Sequence, residues 1–173
     1  MRRSIPRRTG PSRLPTDGPG AIRVTRRFRA SPQRVFDAWL DPEAAGRWLF
    51  ATAAQPMTDV AIDARVGGVF RFAAGGGGEV TEHTGQYLEI VPHRRLVFTL
   101  SMADRPAAVT RVTVEVVPRR TGCELTVVHE RVPRERAQQT EGRWTGMLYG
   151  LGATRAAARR AVVESGRGRS TRG

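Results

Sequence analysis

Apolar and polar residues alternate through much of this chain, and short stretches with a helical period punctuate the alternation. The first clear pattern is Ile22-Arg23-Val24-Thr25-Arg26-Arg27-Phe28. Ile22, Val24 and Phe28 share one face, and Arg26 interrupts it. A period of two predicts a strand. Ser31-Pro32 then supplies a capping oxygen followed by a residue that needs no amide hydrogen, and Val35, Phe36, Trp39 and Leu40 form a helical stripe. Asp41-Pro42-Glu43 repeats the device, with Glu43 near the positive helix end and Ala44, Ala45, Trp48 and Leu49 as the apolar side. Two short helices meeting at a corner are expected.

From Thr58 onward the pattern becomes a long meander, with strands expected at 58–64, 68–74, 80–91, 95–103, 109–118 and 122–131. Turn-forming residues separate them: Gly67-Gly68, the Gly75–Gly78 run, Pro92-His93-Arg94, Asp104-Arg105-Pro106 and Arg119-Arg120-Thr121-Gly122. Alternation in Val112–Val116 and Leu125–Val127 implies a sheet with one buried face and one wet face. Pro133 closes the last strand, and residues 134–163 carry good helix formers. Trp144, Leu148 and Leu151 recur there at i, i+4 and i+7, with Met147 beside them. This order predicts an α+β helix-grip fold: about seven curved antiparallel strands wrapped on a long C-terminal helix, with two short helices after the first strand. A sheet gripping one helix leaves room between them for a small molecule.

Length and composition set the boundaries. A chain of 173 residues with 39% apolar residues suits one domain plus tails. Residues 1–20 read as a flexible basic arm, 21–163 as the helix-grip domain and 164–173 as a disordered basic tail. The net charge of +13 is concentrated in the ends: residues 1–21 carry five Arg against one Asp, and 155–173 carry six Arg against one Glu. The chain contains no Lys and no Asn, a bias that matches codon usage better than selection for phosphate contacts. Nucleic acid is therefore not expected as the main partner, although basic tails can add salt-sensitive affinity. No apolar run is long enough to span a membrane, and MRRSIPRRTG leads into PSRLPTDGPG rather than an export signal. With one cysteine, Cys123, no internal disulfide is possible. A cytoplasmic monomer or homodimer is expected.

The candidate chemistry is sparse. His83, His93 and His129 have no metal-ligand spacing, so neither a metal nor a cofactor is expected. His83 and Tyr87 share strand parity, so together with His129 they could orient a polar group on a ligand. The competing reading is a core histidine satisfied by its neighbours and a packed tyrosine. Gly75–Gly78 lacks the Lys-Ser/Thr of a phosphate loop, and Cys123 has no catalytic partner by motif. Arg26, if buried, needs a carboxylate; at an exposed edge it needs nothing. Trp39, Trp48, Phe70, Phe72, Phe98, Trp144, Met147 and Leu151 are candidate walls of the apolar space.

Several segments, in order, resemble the activators of the heat-shock-protein-90 ATPase and their stand-alone bacterial relatives, within the START/Bet v-like (SRPBCC) superfamily. They are Ala30–Glu43 (ASPQRVFDAWLDPE) with Trp48, Asp63–Phe72 (DARVGGVFRF), His83–Pro92 (HTGQYLEIVP), Arg95–Thr99, Leu125–His129, and Trp144 with Leu148 and Leu151. Together they span about residues 22–155. The sequence departs from the family where Arg143 precedes Trp144 and where Glu130-Arg131-Val132 follows His129. The resemblance implies a helix-grip fold with a lipophilic cavity.

The leading expectation is non-catalytic binding of a small hydrophobic or amphipathic molecule. The lining residues would be Trp48, Phe70, Phe72, His83, Tyr87, Phe98, His129, Trp144, Met147 and Leu151. The alternatives are a protein-interaction role like that of a co-chaperone or ATPase activator in the stress response, and a cyclase or aromatase activity. The last requires His83, Tyr87 and His129 to converge.

Overall fold

A computed structural model describes residues 20–76 and 78–167, with side chains described through Thr154. The element order is β1 (Ile22–Phe28), α1 (Pro32–Leu40), α2 (Pro42–Gly46), β2 (Met57–Ile62), β3 (Val69–Gly76), β4 (Glu79–Val91), β5 (Arg95–Met102), β6 (Arg105–Arg119), β7 (Gly122–Glu130) and α3 (Ala137–Arg167), with a single 3₁₀ turn at Arg134–Arg136. All seven strands form one antiparallel sheet in the order β1-β7-β6-β5-β4-β3-β2. The curved sheet, the long C-terminal helix and the two short helices after β1 make up a helix-grip fold.

The two helix starts follow from their caps. The Ser31 hydroxyl accepts from the Arg34 amide at 3.3 Å, and the Asp41 carboxylate accepts from the Ala44 amide at 2.9 Å. Each satisfies one of the amides that a first helical turn leaves open. Pro42 directly after Asp41 ends α1 and begins α2, which turns the chain through a corner and places Trp48 under α3.

Register fixes the inward face. Ile22, His129, Val112, Phe98 and Tyr87 pair in succession across five strands, and Phe72, His83 and Met102 form a neighbouring row. A bulge between Tyr87 and Glu89 bends β4. Gly85 sits between His83 and Tyr87. A Cβ there would fall 1.9 Å from the Thr99 carbonyl oxygen and 2.4 Å from the Phe70 ring, so this glycine makes room for the phenylalanine.

Three details differ from the sequence reading. The β5–β6 turn is only Ala103-Asp104; Arg105 and Pro106 already belong to β6, at a strand start where proline's missing donor is tolerated. The outer sheet face is not uniformly wet: Val97, Thr113 and Val128 form a fully buried row there. Arg95, paired to Glu89 and Glu115, and Arg111, paired to Glu130, flank this row, and long arginine stems can shield apolar groups. Finally, α3 continues to Arg167, beyond residue 163. The arm at 1–19 and the tail at 168–173 lie outside the described residues.

Candidate functional site

The aromatic residues of the inner face meet those of the helices in one cluster. Phe70 packs edge-on against Phe72 and Phe98, with ring centroids 5.8 and 5.4 Å apart, and tilts against Tyr87 at 5.4 Å. Trp39 of α1 bridges this floor to α3: its ring lies 6.4 Å from Phe98 and stacks on Trp144 at 6.1 Å. Trp48 meets Trp39 edge-on at 4.7 Å and donates its indole N–H to the Ala38 carbonyl at 3.2 Å. Leu148 and Leu151 are fully buried on the same side of α3 as Trp144, and Met147 is half-buried. Gly150 faces Trp48, where a Cβ would come within 3.4 Å of it, so the helix can lie close to the corner.

The two buried histidines have different surroundings. His129 is saturated. Its Nδ1 accepts from the Trp144 indole N–H at 3.0 Å, which leaves the neutral ring's proton on Nε2. That N–H then faces the Thr110 hydroxyl at 2.7 Å, and Thr110 in turn donates to the Leu100 carbonyl at 2.9 Å. This chain of hydrogen bonds ties α3 to β7, β6 and β5. Burial lowers the His129 pKa to about 4, so the ring is neutral near pH 7.

His83 has an incomplete set of partners. It is 8% exposed, and its Nδ1 is buried with no hydrogen-bond partner among the described residues. Burial, reinforced by the positive charge of Arg143 and opposed by Asp104, lowers its pKa to about 4. Its ring is stacked, almost parallel, on Phe50 at 4.3 Å. Phe50 stands in the loop after α2 and also meets Phe72 at 5.3 Å and Trp144 at 6.3 Å.

The ten candidate residues thus lie on the inner face of the sheet, on α3 or, for Trp48, in the turn that follows α2. His83, Tyr87 and His129 are not brought into a common polar cluster: His83 stacks on Phe50, Tyr87 packs among Phe70 and Phe98, and His129 is bonded to Trp144 and Thr110. Burial raises the Tyr87 pKa. His93 lies in the β4–β5 turn, with φ 63°, outside the cluster. Arg26 is half-buried, with no carboxylate partner among the described residues; its guanidinium lies 3.8 Å from the centroid of the Tyr149 ring, beside Gly152. Among the described residues no group of three metal-ligating side chains is assembled, and no helix is long and apolar enough to cross a membrane.

Two participants escaped the sequence reading. Thr110 was legible in principle, because it shares the parity of Val112 and Val114 on β6. Phe50 had no periodic signal, since it precedes a loop of small and polar residues, Ala51 to Pro56.

Comparison with known proteins agrees with this architecture. The model of the family described as "Activator of Hsp90 ATPase homolog 1-like protein" matches residues 29–155. The chain belongs to this family. Among solved structures, a protein from Chromobacterium violaceum is 31% identical with a TM-score of 0.72, over 78% of this chain and 96% of that one. A Rhodobacter sphaeroides protein is 25% identical with a TM-score of 0.70, over 81% and 97%. The AHSA1-like protein of Aeromonas hydrophila shares the fold, with a TM-score of 0.69 at 22% identity, over 80% and 93%. The comparison with curated proteins finds no match. Family membership therefore rests on the family model and on the Chromobacterium relative.

Proposed function

We infer that this protein binds a small hydrophobic or amphipathic molecule between the sheet and α3, without chemical change to it. The observation that supports this most is His83. A buried neutral imidazole with an unpartnered Nδ1 stands stacked on Phe50 and paired with Phe72, with the aromatic cluster on one side. Such an atom is costly unless something bonds to it, and one polar group among apolar walls is the usual composition of a ligand site. Phe72, His83, Trp144 and Met147 form the part that meets the ligand. Trp48, Phe70, Tyr87, Phe98 and Leu151 form its floor and sides. His129 acts at one remove, by holding Trp144 in place. Apolar burial at about 25 cal/mol per Å² supplies affinity before association costs.

A thermal-shift panel of fatty acids, fatty alcohols and polycyclic aromatics, with native mass spectrometry of the hits, tests this reading. At least one chemical class is expected to raise Tm and give a one-to-one complex. No shift and no complex across the whole panel would reject it.

A second reading, binding to a chaperone protein, draws on the family description. Stimulation of a bacterial heat-shock-protein-90 ATPase by the purified chain would favour it. An unchanged rate with no co-migrating complex would remove it.

A further inference from the structure

Phe50 is an unusual residue to find pressed into the aromatic cluster. It is bulky, yet its φ is 60°, in the left-handed region that such side chains rarely adopt. Its amide donates to the Met147 sulfur at 3.2 Å, and a thioether is a weak acceptor. The ring is only half-buried. Beyond it Thr52 and Gln55 bond each other, the Thr52 amide to the Gln55 carbonyl at 3.1 Å and the Gln55 amide to the Thr52 hydroxyl at 3.0 Å, and at the far end of the loop the Pro56 carbonyl accepts from the Gly75 amide of β3 at 3.1 Å. The Phe50 backbone is thus strained and its amide weakly bonded, while the ring makes close contacts with His83, Phe72 and Trp144.

We propose that Phe50 is an internal stand-in for the ligand: its ring occupies the slot against His83, Phe72 and Trp144, and a flat aryl group bearing a short hydrogen-bonding arm displaces it. This deepens the binding reading above and rests on it. The slot selects a flat ring because its base is the near-parallel face of His83, with Phe72 and Trp144 edge-on at its sides. The arm follows from the unpartnered Nδ1, which lies in the imidazole plane. A ring stacked on that face cannot reach it, whereas a hydroxyl carried past the ring edge can. Phenylalanine lacks such a group, so a ligand that has one completes the site better than Phe50 does. The swing of the loop returns residue 50 to relaxed backbone angles.

The probes are 2-(2-naphthyl)ethanol, its hydrocarbon match 2-ethylnaphthalene, and 1-decanol, titrated by fluorescence and calorimetry. Phe50 competes with any aryl ligand, so emptying the slot tightens binding by the reciprocal of the open fraction. Phe50→Gly is expected to bind the naphthyl alcohol about tenfold more tightly than the unmodified protein, with a smaller change for decanol. Phe50→Asn, which tolerates the left-handed backbone and removes the ring, is the second variant and should behave alike. His83→Phe keeps a stacking face and is expected to abolish the preference for the alcohol over its hydrocarbon match. In the unmodified protein, bound naphthyl alcohol should replace the Phe50–His83 contacts in nuclear Overhauser spectra, a readout that needs no variant. If the alcohol binds while those contacts persist, or if both variants bind it no better, Phe50 is a fixed wall. The inference then fails and the binding reading survives. If none of the three probes binds any form, the aryl inference fails, and the panel above decides separately whether another class binds.

Discussion

Replacing Trp144 with alanine is expected to lower the unfolding free energy by about 3–5 kcal/mol, enough to leave a domain of ordinary stability marginal. The size follows from its position. Trp144 is 1% exposed, stacks on Trp39, meets Phe50 and His129, and donates the hydrogen bond that fixes the His129 tautomer. Truncation opens a void between helix and sheet and leaves a buried nitrogen without its donor. Trp144→Phe separates the two effects. It keeps most of the packing but loses the N–H, and should cost about 1–3 kcal/mol. The lost bond is one that only unprotonated Nδ1 can accept, so the pKa of His129 should also rise in this variant. Urea denaturation and histidine NMR titration measure both effects. A loss below about 1 kcal/mol for the alanine variant would mean that α3 is not held to the sheet through this residue.

Mild acid is the second strong perturbation. His83 and His129 both have pKa values lowered to about 4 by burial, against about 6.5 when unfolded. Protonation therefore favours the unfolded chain. The contribution of these groups is fully present above pH 6.5, declines as the pH falls toward 4, and is gone below that. Linkage gives a loss of roughly 2 kcal/mol per histidine by pH 5. Glu124, held below the usual carboxylate range by hydrogen bonds to Arg119 and Arg27, adds a loss of the same sign at lower pH. Urea midpoints should fall steadily between pH 7 and 5, and His129→Gln should flatten the curve by its share. Constant midpoints over that interval would mean that neither ring is as dry as described.

Much of the scaffold was legible because local rules and global fold agree. Ser31-Pro32 and Asp41-Pro42 cap the helices as their chemistry requires, and the alternation in β6 and β7 placed Val112 and Leu125 on the buried face. The Trp144, Leu148 and Leu151 stripe likewise marked the buried side of α3. Long-range pairing could not be read in this way. The partners of His129 lie 15 and 19 residues away on different elements, and nothing local joins Trp144 to Thr110. Parity could put His83 and Tyr87 on one face but could not show that Phe50 would cover the first of them. The buried outer row at Val97, Thr113 and Val128 was also hidden, because it depends on neighbouring strands in register rather than on alternation.

The central proposal is that a small apolar molecule binds between sheet and α3. Intermolecular nuclear Overhauser contacts from a bound panel hit to the side chains of Phe72, Trp144 and Met147 test it most directly. Contacts to all three, lost in Trp144→Phe or weakened in step with affinity, are the predicted result. A hit whose contacts lie only on the outer sheet face, with these three side chains untouched, would contradict it.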